Sequence, residues 1–219
     1  MANRPISTEA AILEQARVAL TNTQNQPVIA SLMTEMGYDS EKLNEGQTVL
    51  SETEQAYNLN KKEDDESSAA YDAYAASKEN LDDHYRLLRK KAKVIFRNDA
   101  ATMELLAVDG NIPAAHTRYM EMVSKFYKEV IPNEALQQKL AVLKVTPEVL
   151  ASGQSLIDEV KTNRATYLLE KGESQDATKL KDAAFAKLDD WMSEFYAVAR
   201  IALDDRPQLL EALSKTVIS

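Results

Sequence analysis

Cysteine is absent from this chain of 219 residues, and glycine and proline are scarce, with five and six residues respectively. The lack of cysteine rules out disulfides, thiolate metal ligands and a cysteine nucleophile. The scarcity of glycine and proline, and the lack of a sustained alternating run of β-branched residues, argue against a fold of short strands and tight turns. Abundant Ala, Leu, Glu and Lys residues instead predict an all-α protein.

Long apolar segments are missing as well. No run is long enough to span a bilayer, and the first residues lack the hydrophobic core of a secretory signal, so a cytoplasmic protein is expected. A formal net charge of −9 and a pI near 4.9 predict repulsion from phosphate backbones and anionic membranes. Neither DNA nor a membrane is therefore an expected partner, although a local basic patch is still compatible with this charge.

The most informative feature is a repeat at a spacing of 107 residues. The segment LNEGQ at 43–47 recurs as LASGQ at 150–154, and LDD at 81–83 recurs as LDD at 188–190. Without any gap, the alignment contains about seventeen identities over roughly 93 positions, where this composition would give about seven by chance. The sequence therefore predicts a tandem duplication.

Each copy predicts the same series of five helices, because apolar residues recur at helical spacing in the same register. Two short helices precede two long ones, and a short helix ends each copy. The linker is expected at residues 109–113, which divides the chain into a first helical repeat over 1–110 and a second over 111–219. In the first copy the helices are expected at about 8–22, 27–36, 40–62, 67–97 and 99–107.

Local signals define the ends of these helices. Asp39 is expected to cap the first long helix, and Gly37 to stop the helix before it in a left-handed conformation. Polar residues at 63–66, and at 171–174 in the second copy, predict a turn between the two long helices. One such hairpin leaves an apolar stripe uncovered on each helix. The two hairpins are therefore expected to pack as a pseudo-two-fold four-helix bundle with short flanking helices, in one compact domain.

A glycine lies inside the first long helix of each copy, at Gly46 and at Gly153. Glycine within a helix costs about 1 kcal/mol relative to alanine, so its occurrence in both copies calls for a structural reason. We expect each glycine to mark a close approach between long helices.

Two acidic pairs occur at equivalent positions of the two copies. If the pseudo-symmetry brings them together beside His84, they form a divalent-metal or small-ligand site in the bundle core. More simply, adjacent residues on a helix diverge by about 100°, so the acids face water or pair with basic side chains, and His84 is a hydrogen-bonded core or rim residue. The sequence favours this second interpretation and assigns no cofactor. The residues concerned are His84, Asp82, Asp83, Asp189 and Asp190.

Catalytic motifs are also absent from the sequence. Its two histidines, His84 and His116, do not follow a glutamate by three residues, as a di-iron bundle site would require. There is no Gly-x-Ser-x-Gly elbow and no glycine-rich phosphate loop. The sequence therefore favours a non-enzymatic protein and gives His116 no role.

A basic strip marks the end of the second long helix in the first copy. It predicts either a docking surface for an acidic protein, a phosphate or RNA, or simply cations that suit a helix C-terminus and neutralise nearby acids. The second copy lacks the strip, so any such function belongs to one half of the chain. The strip consists of Arg86, Lys90, Lys93 and Arg97.

By elimination, these observations predict a helical-bundle interaction or assembly module that binds another protein or a second copy of the chain. A bundle that holds a small ligand or divalent metal in its core is the first alternative. A binder of RNA or of an acidic protein through the basic strip is the second. Tyrosine is mildly enriched, with nine residues, but the sequence alone assigns no site to the tyrosines.

Overall fold

Two helices of 56 residues dominate the structure. The computed structural model describes residues 8–214, and every regular element within them is helical, so the all-α prediction is confirmed. In that range no helix is both long enough and apolar enough to cross a membrane. In chain order the elements are α1 (Glu9–Asn25), α2 (Pro27–Glu35), α3 (Ser40–Ile95), α4 (Ala100–Leu105), α5 (His116–Val130), α6 (Glu134–Ala141), α7 (Pro147–Ala202) and a 3₁₀ helix (Pro207–Leu213).

The predicted turns at 63–66 and 171–174 are wrong, because α3 and α7 are each continuous across them. Most of these residues are exposed Glu, Asp and Lys side chains, and their polarity marks a solvated helix surface rather than a break. Gly172 lies inside α7, where it lowers helix propensity by about 1 kcal/mol without ending the helix. The four long helices of the predicted bundle are therefore two.

The cap and stop signals before α3 are confirmed. The Asp39 carboxylate accepts hydrogen bonds from the backbone N–H groups of Glu41 and Lys42, both at 3.0 Å. Gly37 follows α2 with a φ of 84°, a left-handed conformation that glycine adopts without strain. Local chemistry therefore defines the short connection between α2 and α3.

Contacts divide the chain into two compact units. Unit 1 comprises residues 1–64 and 172–219, and unit 2 comprises residues 65–171. Each unit therefore draws on both predicted repeats, and α3 and α7 each contribute one part to each unit. The repeat boundary near residue 110 stays a prediction about the sequence.

Unit 1 contains α1, α2, the first part of α3, the last part of α7 and the 3₁₀ helix. The two long segments are antiparallel, since Thr53 donates to the Ala184 carbonyl at 3.2 Å and Asn60 donates to the Thr178 hydroxyl at 3.1 Å. Every element contributes to one apolar core, which includes Leu20, Ile29, Leu50, Phe195 and Leu213.

Unit 2 contains the last part of α3, α4, α5, α6 and the first part of α7. Its long segments are also antiparallel, since Asn163 donates to the Ala73 carbonyl at 3.3 Å while His84 contacts the Val149 carbonyl. The core of this unit is richer in buried tyrosine and includes Tyr85, Leu106, Tyr119, Phe126, Tyr127, Leu140 and Ile157.

The glycines at positions 46 and 153 both mark close approaches. A Cβ added at Gly46 would overlap the indole ring of Trp191 on α7, which confirms the expected contact between long helices. A Cβ added at Gly153 would overlap the ring of Tyr127, which belongs to α5. In unit 2 the close neighbour is therefore a short helix, and that part of the prediction is wrong.

Candidate functional site

The acidic pairs selected from the sequence belong to different units. Asp82 and Asp83 lie on α3 in unit 2, whereas Asp189 and Asp190 lie on α7 in unit 1. All except Asp82 are exposed. Asp82 is half-buried and forms an ion pair with Arg86, with Oδ2 and Nε 2.5 Å apart. The one partly buried acid of the set is therefore already neutralised by a cation from the next turn of its own helix.

His84 faces the backbone of α7. Its Nε2 lies 3.1 Å from the carbonyl oxygen of Val149, and the ring is half-buried. Burial lowers the pKa of His84 below its ordinary value of 6.5; the hydrogen bond with Val149 opposes this and the charge of Lys91 adds to it. A neutral ring that donates from Nε2 keeps only Nδ1 as an acceptor.

The basic strip lies near the end of α3 in unit 2. Arg86 is paired with Asp82, but the other three cations form no ion pair with any residue between 8 and 214. Neutralisation of nearby acids therefore accounts for only one member of the strip. The three unpaired members are Lys90, Lys93 and Arg97.

Two exposed aliphatic side chains accompany these cations. Leu87 and Val94 are 55% and 61% exposed, and they lie seven residues apart on α3. Residues three, four and seven apart are neighbours on a helix surface, so Leu87 and Val94 lie alongside Lys90, while Arg97 lies in the turn just after α3. The surface formed by Leu87, Lys90, Lys93, Val94 and Arg97 is called the basic-apolar face below.

A groove of about 560 Å³ opens on the surface of unit 2, beside α3 and the segment that leads into α5. It is called the tyrosine groove below. Its volume lies in the range of small-molecule sites. Its lining includes Tyr71, Tyr74, Lys78, Glu79, Ile112 and Tyr119.

Stacked tyrosines form one wall of the tyrosine groove. The rings of Tyr74 and Tyr167 are parallel to within 2° at a centroid distance of 6.0 Å, and Tyr71 meets Tyr167 edge-on at 5.3 Å. Tyr71 is 51% exposed, which is unusual for so large a ring. Tyr167 supports the two groove tyrosines from behind, so the wall is held in place while one ring stays accessible.

His116, which the sequence left without a role, contacts this wall. Its Nδ1 lies 2.9 Å from the Tyr74 hydroxyl, and the two rings meet edge-on. Burial lowers the pKa of His116, and the nearby charges of Arg164 and Lys78 lower it further. The start of α5 is therefore a region of positive potential around a neutral imidazole.

Tyr119 lines the groove, and its hydroxyl is buried beside Asp82. The residue is only 3% exposed. Burial raises the pKa of Tyr119, and the charge of the Asp82 carboxylate and a hydrogen bond with it raise the pKa further, so the phenol keeps a proton to donate to Asp82. Asp82 is therefore held by two donors, Tyr119 and Arg86.

The tyrosine groove was missed from the sequence because its residues are distant along the chain. Tyr74 and His116 are 42 positions apart, and no motif connects them. One signal was available in the repeat alignment: at the shift of 107, Tyr74 aligns with Lys181 and His116 aligns with Glu9. Both positions change chemistry between the copies, as a contact between them would allow.

Comparison with protein-family models, with curated proteins and with solved structures gives no match. No relative therefore lends a role to the acidic pairs, the basic-apolar face or the tyrosine groove. Function is argued below from the geometry of these surfaces alone.

Proposed function

We propose that the protein is a non-enzymatic interaction module that binds an acidic protein partner through the basic-apolar face of unit 2. The supporting observation is that two unpaired cations and two exposed aliphatic side chains share one face of α3, with a third unpaired cation, Arg97, in the turn that follows the helix. Apolar side chains two turns apart suit the apolar stripe of an amphipathic helix, whose acidic residues would pair with the cations beside it. RNA would gain from the cations but not from Leu87 and Val94, so a protein is the favoured partner.

The charge distribution supports the choice of unit. Unit 1 has 11 basic and 19 acidic residues, a net charge of −8, whereas unit 2 has 15 basic and 16 acidic residues, a net charge of −1. An acidic partner is therefore repelled much less by unit 2 than by unit 1. A cytoplasmic location belongs to the same proposal, and fractionation of cells that express the tagged chain tests it.

A photoreactive amino acid in place of Val94 tests the interaction. The matched control carries the same group at Ile201, which aligns with Val94 at the shift of 107 and is 65% exposed. We expect saturable crosslinking to an acidic protein from position 94 only. Binding of that protein, once purified, should weaken as salt is raised, and Lys90→Glu with Arg97→Glu should weaken it about tenfold or more. Equal crosslinking at both positions, or binding that ignores salt, contradicts the proposal.

We also infer that the two repeats arose by tandem duplication. In support, the bounds of α3 and α7 differ by 107 at both ends, since 147 − 40 and 202 − 95 give the same number. Residues with positive φ follow the same spacing, because Gly37 pairs with Lys144 and Ala107 pairs with Ser214. Backbone features that do not depend on side-chain identity therefore agree with the alignment.

A further inference from the structure

We propose that the tyrosine groove of unit 2 binds a small aromatic carboxylate. The aromatic ring would contact Tyr71 and Tyr74, and the carboxylate would lie at the start of α5 near Lys78. This inference does not depend on the interaction proposed for the basic-apolar face, because it uses different residues and a different class of ligand.

The start of α1 in unit 1 shows what the start of α5 lacks. Thr8 caps α1 with its side chain, and Glu9 in the first turn forms an ion pair with Lys181 at 2.6 Å. The residues of unit 2 that align with Thr8 and Glu9 are Ala115 and His116. Consequently α5 has neither a side-chain cap nor an acidic residue in its first turn. Unit 1 supplies its own carboxylate at this position, and unit 2 does not.

Positive charge nevertheless surrounds the start of α5. Lys78 and Arg164 are half-buried and lie close enough to His116 to lower its pKa, yet neither pairs with an acid within residues 8–214. The first N–H groups of a helix add to this potential and favour an anion. The two acids of the groove do not neutralise this positive potential, since Asp82 is paired with Arg86 and Glu79 is exposed.

Lys78 is the cation of the groove that is available to a ligand. It is half-buried, it lines the groove, and it forms no ion pair among the described residues. The Asp82 carboxylate is held by Arg86 and by the Tyr119 hydroxyl, so it does not compete for Lys78. A ligand carboxylate would therefore pair with Lys78.

The tyrosine wall indicates the other half of the ligand. In unit 1 the positions aligned with Tyr167 and Tyr71 are Asn60 and Thr178, which hydrogen-bond to each other. Unit 2 has an aromatic wall at this place, with one half-exposed ring, instead of a closed polar contact. Aromatic rings pair favourably in offset or edge-on geometry, so a planar aromatic group is the best match for this wall.

Calorimetric titration of the full chain with 3-phenylpropionate tests the proposal. Its neutral amide, 3-phenylpropionamide, isolates the contribution of the charge, and hexanoate isolates that of the ring. We expect saturable binding of 3-phenylpropionate below about 10 mM. Each of the other two compounds should bind about tenfold more weakly, because a charge-assisted hydrogen bond or the aromatic contact is lost. Equal affinity for the acid and the amide, or no saturable binding, overturns the proposal.

The variant His116→Glu provides the sharper test, because it places a carboxylate where unit 1 has Glu9. It should reduce the affinity for 3-phenylpropionate at least tenfold, whereas the uncharged control His116→Gln should change it less than about threefold. Lys78→Gln, which removes the charge that would pair with the ligand carboxylate, should also weaken binding. Undiminished binding by His116→Glu, or an equal loss in both His116 variants, overturns the assignment of the anion site. Thermal melts of each variant exclude loss of folding as the cause.

Discussion

Units 1 and 2 are built from aligned helices but differ in how they use the same positions. At the start of their first short helix, unit 1 has the ion pair of Glu9 with Lys181, whereas unit 2 has His116 bonded to Tyr74. Both pairs join the same two aligned positions and connect a short helix to a long one. The difference shows that the contact is a property of the fold, while its chemistry has been free to change.

The surfaces of the two units diverge in the same way. At the positions aligned with Lys90, Lys93 and Arg97, unit 1 has Ala197, Arg200 and Asp204, so one cation remains of three, although an exposed aliphatic is kept at Ile201. The net charges of −8 and −1 express the same difference. Unit 1 therefore repels anions, whereas the nearly neutral unit 2 presents a strip of cations without ion-pair partners among the described residues.

Cutting the chain between the two repeats should have the largest effect on the folding of both units. A fragment of residues 1–110 contains Leu50 without its core partner Phe195, and Tyr85 without Phe126. It therefore exposes apolar surface from both units and should not fold as a monomer. Residues 65–171 contain the whole core of unit 2 and should form a helical monomer that melts cooperatively.

Circular dichroism melts and sedimentation of the two fragments check this expectation. Self-association of 1–110 is compatible with it, since a second copy covers the exposed faces. A stable monomer of residues 1–110, or an unfolded 65–171, would show that the division of the core between the units is not the one described.

Alanine substitutions at the helical glycines should have the next largest effect on stability, and the cost should be larger in unit 2 than in unit 1. Tyr127 is fully buried and has little room to move, so Gly153→Ala should cost about 1–3 kcal/mol of stability. Trp191 is half-buried, so the cost of Gly46→Ala should be smaller. Gly172 has no atom near an added Cβ, and Gly172→Ala should stabilise the protein by up to about 1 kcal/mol.

Urea melts of the three alanine variants give these differences directly. A stabilised Gly153→Ala protein would mean that the contact with Tyr127 relaxes at no cost. If Gly172→Ala is instead destabilised, helix propensity is not what limits α7 at that position.

Much of the fold was predictable from short-range signals. The cap at Asp39 and the left-handed Gly37 act over a few residues, and the structure confirms both. The turn at 63–66 was wrong because polarity alone does not end a helix: neither proline nor glycine occurs there, and the flanking residues continue the helix.

The packing partners of the long helices could not be predicted from the sequence. An apolar seam identifies the residues that become buried, but two similar copies offer similar seams, and periodicity does not state which copy covers which. The tyrosine groove has the same origin, because it depends on contacts of Tyr74 with both His116 and Tyr167 across three helices. Only the alignment of the two copies carried information about these contacts.

The residues aligned at Gly37 and Lys144 allow the smallest and cleanest comparison of the two units. Their φ angles are 84° and 59°, so both adopt the left-handed conformation after a short helix. A side chain there costs about 1–2 kcal/mol, and glycine avoids that cost but has more freedom in the unfolded chain. Lys144 is exposed and forms no ion pair within the described part of the chain, so its side chain contributes little that the substitution would remove.

We therefore expect Lys144→Gly to stabilise unit 2 by up to about 1 kcal/mol, and Gly37→Ala to destabilise unit 1 by a similar amount. Space does not enter the second change, because an added Cβ at Gly37 meets no atom within 4 Å. The urea midpoints of the two variants of the full chain, compared with the unmodified protein, measure both effects. Opposite signs are required, because one variant removes left-handed strain and the other introduces it at the aligned position. If both variants are destabilised, Lys144 makes a favourable contact that offsets its strain, and the two loops are not energetically equivalent.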